Sequence, residues 1–229
     1  MDFHNRTVIV TGGTGALGTA VVGALLDARA QCRVPYLIDA EAQRFPHRDR
    51  VTLIGGTELT READVARLYD GVSDLWASIH IAGGFAMAPI AATGRAALMA
   101  QLEMNLVSAF LCCRAAVQAM QGAGGRIVNV AARPALEPRL GAGMTAYAVS
   151  KAGVAALTVA LAQEVAADGI LVNAVVPSIM DTPANRRDMP KADFAAWPKP
   201  DEVAAAILFL ASPDNQVTRG ALVPVYGKS

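Results

Sequence analysis

Residues 7–18 read TVIVTGGTGALG, a short β-branched run that ends directly in Gly12, Gly13, Gly15 and Gly18. The following TAVVGALLDARA has helical periodicity, so the glycines stand at a strand-to-helix turn. Glycines there let the backbone bend sharply and approach a pyrophosphate, whose charge then sits at the helix N-terminus. A phosphate-loop NTPase needs a lysine after its last glycine, and Gly18 is followed by Thr19. The alternative is a merely structural turn. The position of the motif, after a first strand and opening a helix, favours a dinucleotide cradle.

The rest of the chain repeats the alternation. Apolar or β-branched runs at Thr7–Val10, Arg33–Ile38, Val51–Ile54, Trp76–Ala82, Arg126–Val130, Leu171–Val175 and Leu222–Val225 read as strands. Between them, Gly15–Arg29, Arg61–Gly71, Ala96–Gln121, Ala146–Asp168 and Pro200–Leu210 read as helices. Such alternation implies right-handed crossovers. The expected fold is α/β: a Rossmann-like, doubly wound parallel sheet of about seven strands with helices on both faces. One domain spanning 1–229 is expected, because a chain of 229 residues with 53% hydrophobic and 17% charged residues supports one large core. The proline-rich stretch at about 178–200 follows a strand, on the side of such sheets where ligands bind, and is expected to form a substrate lid rather than a plain surface crossover.

Twenty basic and twenty acidic side chains cancel, which argues against nucleic acid or an anionic membrane as partner. No basic-then-apolar leader opens the chain, and no uninterrupted apolar stretch reaches spanning length, so a cytoplasmic protein is expected. Cys32, Cys112 and Cys113 suit buried reduced thiols, and His4, His47 and His80 are scattered, so no metal site is expected.

Residues 143–153, GMTAYAVSKAG, put Tyr147 and Lys151 one turn apart on a single helical face. A phenol ionises near pH ~10, and a neighbouring ammonium favours phenolate. The plain alternative is a surface helix with one long cation.

Taken in order, these motifs resemble the short-chain dehydrogenase/reductase family over nearly the whole chain. The turn from Thr11 to Gly18 resembles its dinucleotide loop, with Ala16 where shorter members have glycine. IHIAGG resembles its Asn-Asn-Ala-Gly strand end, with His80 and Ile81 in place of the asparagines. MNLVSAF resembles the helix that supplies an asparagine, here Asn105. AYAVSK supplies Tyr-x-x-x-Lys, and NAVVPSIMDT resembles the nicotinamide segment, with Ser178 in a glycine position.

The resemblance implies hydride transfer between NAD or NADP and a small carbonyl or alcohol substrate. Tyr147 would be the acid or base, Lys151 its tuner and a ribose ligand, and Asn105 the holder of a relay water. Gly12, Thr14, Gly15, Ala16, Leu17 and Gly18 would line the cofactor. So would Tyr36, Glu58 and Leu59 on the adenosine side, and Ala82, Gly83, Pro177, Ile179 and Thr182 on the nicotinamide side. Tyr36 falls where NAD-preferring relatives have an acid, and no basic clamp for a phosphate is evident, so the choice leans to NAD. The family commonly assembles through the two helices containing Asn105 and Tyr147, which implies a homodimer or homotetramer.

One departure matters. IVNVAARP carries Ala131 and Ala132 where relatives have a serine that binds the substrate oxygen, and losing such a donor costs about 10²- to 10³-fold in rate elsewhere. Arg133 or Thr145 could substitute, although Thr145 also reads as a helix cap. Dihydropteridine reductases in the family lack that serine too. They share the pattern of Ala82–Phe85 and Gly143–Met144, so reduction of a quinonoid or C=N substrate is an alternative, as is a weakly catalytic dinucleotide-binding regulator.

Overall fold

The computed structural model describes all residues, Met1–Ser229. Seven strands form one wholly parallel sheet: β1 (Thr7–Thr11), β2 (Gln31–Pro35), β3 (Thr52–Ile54), β4 (Leu75–His80), β5 (Gly125–Val130), β6 (Ile170–Pro177) and β7 (Leu222–Val225). Their order is β3-β2-β1-β4-β5-β6-β7, so the connections reverse direction between β1 and β4. The helices are α1 (Ala16–Asp27), α2 (Asp39–Arg44), α3 (Glu62–Tyr69), α4 (Arg95–Leu102), α5 (Ser108–Met120), α6 (Thr145–Glu164), α7 (Pro183–Asp188) and α8 (Pro200–Ala211).

Successive strand residues face opposite sides of the sheet, and each side meets its own helices. Val8, Val10, Val128 and Val175 pack with Val21 and Leu25 of α1 and Ile207 of α8. Ile9, Ile127 and Val172 face the other way, onto Leu68 of α3, Leu111 and Met120 of α5, and Ala162 of α6. Each fully buried aliphatic side chain contributes about 1.5–3 kcal/mol, which is why strands covered on both faces read as unbroken apolar runs.

Several expected boundaries move. β2 ends at Pro35 instead of Ile38, because β3 is only three residues long and offers little ladder beyond it; Leu37 and Ile38 are exposed. The acidic Asp39 and Glu41 then open the unforeseen α2. The predicted helix at Ala96–Gln121 is interrupted by a π-helical turn, Glu103–Val107, which contains Asn105. Thr145 is the first residue of α6 and its side chain makes no capping bond, so the expected cap is absent.

Arg95–Met120 and Thr145–Glu164 are long and apolar enough to cross a membrane, with mean hydropathy 1.5 and 1.4. Both instead bury apolar faces within the fold, Leu111, Cys112, Ala116 and Met120 from the first and Val154, Ala155 and Ala162 from the second.

Candidate active site

The reversal between β1 and β4 opens a crevice at their carboxyl ends, where Thr11 pairs with His80. Gly12 leaves β1 with φ +66°, and a Cβ there would lie 2.6 Å from the Ala82 backbone nitrogen, so the chain passes too closely for any side chain. Ala82 in turn donates its N–H to Thr11 Oγ1 at 3.3 Å, tying the two strand ends together. Gly18 faces the Gly12 carbonyl with no room for a methyl group. Gly15 is the N-cap of α1, and no side chain caps the helix. The first-turn N–H groups therefore face outward as a ready anion site.

Not every residue of the expected cofactor set contributes in the same way. Leu17 buries its side chain in the core beneath the turn. Thr14 is half-buried, and its hydroxyl lies 3.4 Å from Glu41 Oε2. Tyr36 sits just beyond β2, where its N–H donates to Ile54 O and its hydroxyl covers Gly55. The Glu58 carboxylate is committed locally, accepting from Thr60 Oγ1 at 2.9 Å, and Leu59 packs on the core. At the far end Pro177 closes β6, and Ile179 is 44% exposed. Buried Thr182 caps α7 by accepting the Asn185 N–H.

The Asn105 amide and the Lys151 ammonium both approach Gly83, and Asn105 is linked through Ser150 to the backbone of Tyr147. The Asn105 amide grips the Gly84 backbone from both sides: Nδ2 donates to Gly84 O and Oδ1 accepts from Gly84 N–H, each at 3.0 Å. Nδ2 also donates to Ser150 Oγ at 3.1 Å, and Ser150 Oγ donates to the Tyr147 carbonyl at 2.8 Å. Lys151 is buried and donates from Nζ to Val130 O at 2.9 Å. The Asn105 side chain thus satisfies nearby backbone and Ser150. Ser150 is missing from the expected set; its signal was a small polar residue inside the YAVSK turn of an apolar helix.

The electrostatics differ from expectation. Lys151 was expected to favour phenolate, yet burial dominates both groups. Burial pushes the Tyr147 phenol up to about 12 and the Lys151 ammonium down to about 8. Phe85 adds to the enclosure, its ring 4.9 Å from that of Tyr147 and almost perpendicular to it.

The parallel sheet, glycine cradle and Tyr–Lys–Asn cluster define a dinucleotide-dependent α/β oxidoreductase. The family model described as short chain dehydrogenase matches residues 6–193, and the chain belongs to that family. It is 32% identical to 4-formylbenzenesulfonate dehydrogenase of Comamonas testosteroni, over 99% of this chain and 98% of that protein. It is 33% identical to cis-4-hydroxycyclohexanecarboxylate dehydrogenase of Sinomonas cyclohexanicum, over 98% and 96% of the two. A short-chain type dehydrogenase/reductase structure from Mycobacterium ulcerans superposes with a TM-score of 0.89 at 23% identity, covering 100% of this chain and 90% of that one.

Proposed function

We propose that this protein interconverts a small alcohol and its carbonyl compound at the site where Tyr147, Lys151 and Asn105 converge. The observation that carries the reading is the linkage of Asn105 through Ser150 to the Tyr147 helix turn, beside a strand end that touches the glycine cradle. The turn fits a dinucleotide: Gly12 and Gly18 let the backbone fold tightly at the strand end, and the uncapped start of α1 supplies donors for a pyrophosphate. The backbone of Gly12, Gly15, Ala16, Leu17 and Gly18 and the Thr14 hydroxyl would hold that group. Tyr36, Glu58 and Leu59 would flank the adenosine, with Ala82, Gly83, Pro177, Ile179 and Thr182 around the nicotinamide. When bound, the nicotinamide accepts or gives the hydride, two electrons with one proton.

Tyr147 takes the hydroxyl proton during oxidation and returns it to oxygen during reduction. Lys151, charged below pH about 8, supplies positive charge beside the ribose and the phenol. Asn105 holds the turn that carries the phenol, and its peptide would hold the relay water.

Ala131 and Ala132, both buried after β5, stand in the place of the oxygen-binding serine. Arg133 is a poor substitute, since its guanidinium makes two bonds to Glu137 and stacks over Tyr226 at 4.5 Å. The exposed Thr145 hydroxyl, two residues before Tyr147, is the better one. The missing donor also keeps quinonoid or C=N reduction as a second reading. NAD is the preferred cofactor, supported by the Glu41 carboxylate near Thr14, which would repel a further phosphate.

Residues 178–200 form the lid over the substrate within a single 1–229 domain. Exposed Phe110, Val149 and Val159 on α5 and α6 suit assembly into a homodimer or homotetramer, and three free buried cysteines suit the cytoplasm. The deciding experiment replaces Tyr147 with Phe. Turnover of NAD(H) should fall by at least ~10²-fold while dinucleotide binding persists. Equal turnover in the two proteins would remove Tyr147 from the reaction.

A further inference from the structure

Resting on that reading, we infer that the substrate is an aromatic alcohol or aldehyde, its reacting carbon attached directly to a planar ring that Phe85 receives. Phe85 is 60% exposed although it lies edge-on against Tyr147, at 86° between ring planes. An exposed aromatic that touches the proton-transferring phenol has no use in the core. Its backbone position is fixed, because the preceding Gly84 is held by both amide atoms of Asn105. Gly84 is further covered by the Met104 thioether, which leaves no space for a side chain there.

A second methionine packs on the loop before α6. Met87, 64% exposed, reaches back so that its Cε would lie 3.2 Å from a Cβ on Gly143, in the loop that leads into α6. Phe85 thus lies against the phenol, while one thioether side chain packs on the residue before Phe85 and another on the loop that leads to Tyr147. Rings pair favourably with both partners, stacked or edge-on with the aromatic and edge-on with sulfur. A saturated ring of equal size gains burial but neither of these directional contacts.

The polar inventory fits the same substrate. Ala131 and Ala132 present methyl groups, and the Arg133 guanidinium is held by Glu137. Few donors are left for the substrate oxygen, so the reacting carbon benefits from a substituent that shares charge. In the oxidation, Tyr147 as the base would take the hydroxyl proton as the O–H bond breaks, and a bound oxidised nicotinamide would supply the acceptor for the hydride as the C–H bond breaks. The oxygen lone pair then closes the C=O bond, giving aldehyde or ketone, reduced nicotinamide and a proton. At a benzylic carbon the positive charge that develops during hydride loss spreads into the ring.

The test uses pairs that differ only in aromaticity: benzyl alcohol against cyclohexylmethanol, and 1-phenylethanol against 1-cyclohexylethanol. The wild type should favour the aromatic member of at least one pair by roughly tenfold in kcat/KM, the size of a pair of aromatic contacts. Phe85→Leu should lower that ratio severalfold, mainly through a higher KM for the aromatic alcohol, and Phe85→Tyr should keep it. Equal or reversed preference in the wild type, an unchanged ratio in Phe85→Leu, or no turnover of either pair by protein that binds NAD would each overturn the inference. Failure to bind NAD or NADP at all would instead overturn the functional reading beneath it, and dinucleotide titration of each variant separates the two and confirms folding.

Discussion

Glu41 shows how a single side chain acquires meaning from what the fold sets beside it. In the sequence it is one acid in DAEAQR, beyond the strand end where a ribose ligand was sought at Tyr36. Early termination of β2 turns that segment into α2 and carries the carboxylate to 3.4 Å from Thr14 Oγ1, at the edge of the glycine cradle. On the proposed preference for NAD, a negative charge there would penalise a dinucleotide that bears an extra phosphate. Glu41→Gln should therefore tighten NADPH binding by about three- to tenfold, with NADH affinity much less affected, as read by fluorescence titration; the Coulomb effect at a partly solvated site is of order 1 kcal/mol. The adjacent glycines needed no structure to be legible. Their spacing after a strand states the local geometry, whereas the direction of Glu41 depends on where a neighbouring strand stops.

At the scale of elements, β4 and β5 are joined by more than their ladder. Tyr69 OH lies 2.7 Å from Ser78 Oγ, which lies 2.8 Å from His80 Nε2. His80 Nδ1 lies 2.8 Å from Asn129 Oδ1, while Asn129 Nδ2 donates to Thr158 Oγ1 at 2.9 Å, and Thr158 donates to the Val154 carbonyl. Because the Asn129 amide donates towards α6, its oxygen must accept from His80. This assigns the proton of a neutral imidazole to Nδ1 and leaves Nε2 to accept from Ser78.

Burial holds His80 down to about 4, below the ordinary 6.5. Between those values the unfolded chain binds a proton that the folded one refuses, so the sign is loss of stability as pH falls from 6.5 to 4. The full span corresponds to roughly 3 kcal/mol. Urea unfolding midpoints should drop over this range in the wild type, and less steeply in His80→Asn. The sequence marked His80 only as a departure from an asparagine. Apart from Ser78 in its own strand, the groups it links lie on α3, β5 and α6, so no local pattern could announce them. The π-helical turn at Asn105 was equally hidden, since MNLVSAF has ordinary helical periodicity and the extra backbone residue is visible only in the hydrogen bonding.

Across the whole molecule, the balance of twenty basic and twenty acidic groups leaves no net charge to oppose self-association. Phe110, Val149 and Val159 remain 47–52% exposed on α5 and α6, the two long helices whose other faces are buried. Sedimentation should find the wild type as a dimer or tetramer, and Phe110→Glu should shift it towards monomer by burying a charge in the contact. A monomeric wild type at micromolar concentration would remove this surface from the argument.

The sequence by itself determined the strand–helix alternation, the glycine turn and the helical spacing of Tyr147 and Lys151, because each follows from residues close together in the chain. Only the tertiary structure decided that Asn105 grips Gly84 and reaches the Tyr147 backbone through Ser150, that Phe85 stands against the phenol, and that burial raises the phenol's pKa. Those properties depend on contacts between distant segments and on how completely water is excluded, and neither quantity is carried by any single stretch of chain.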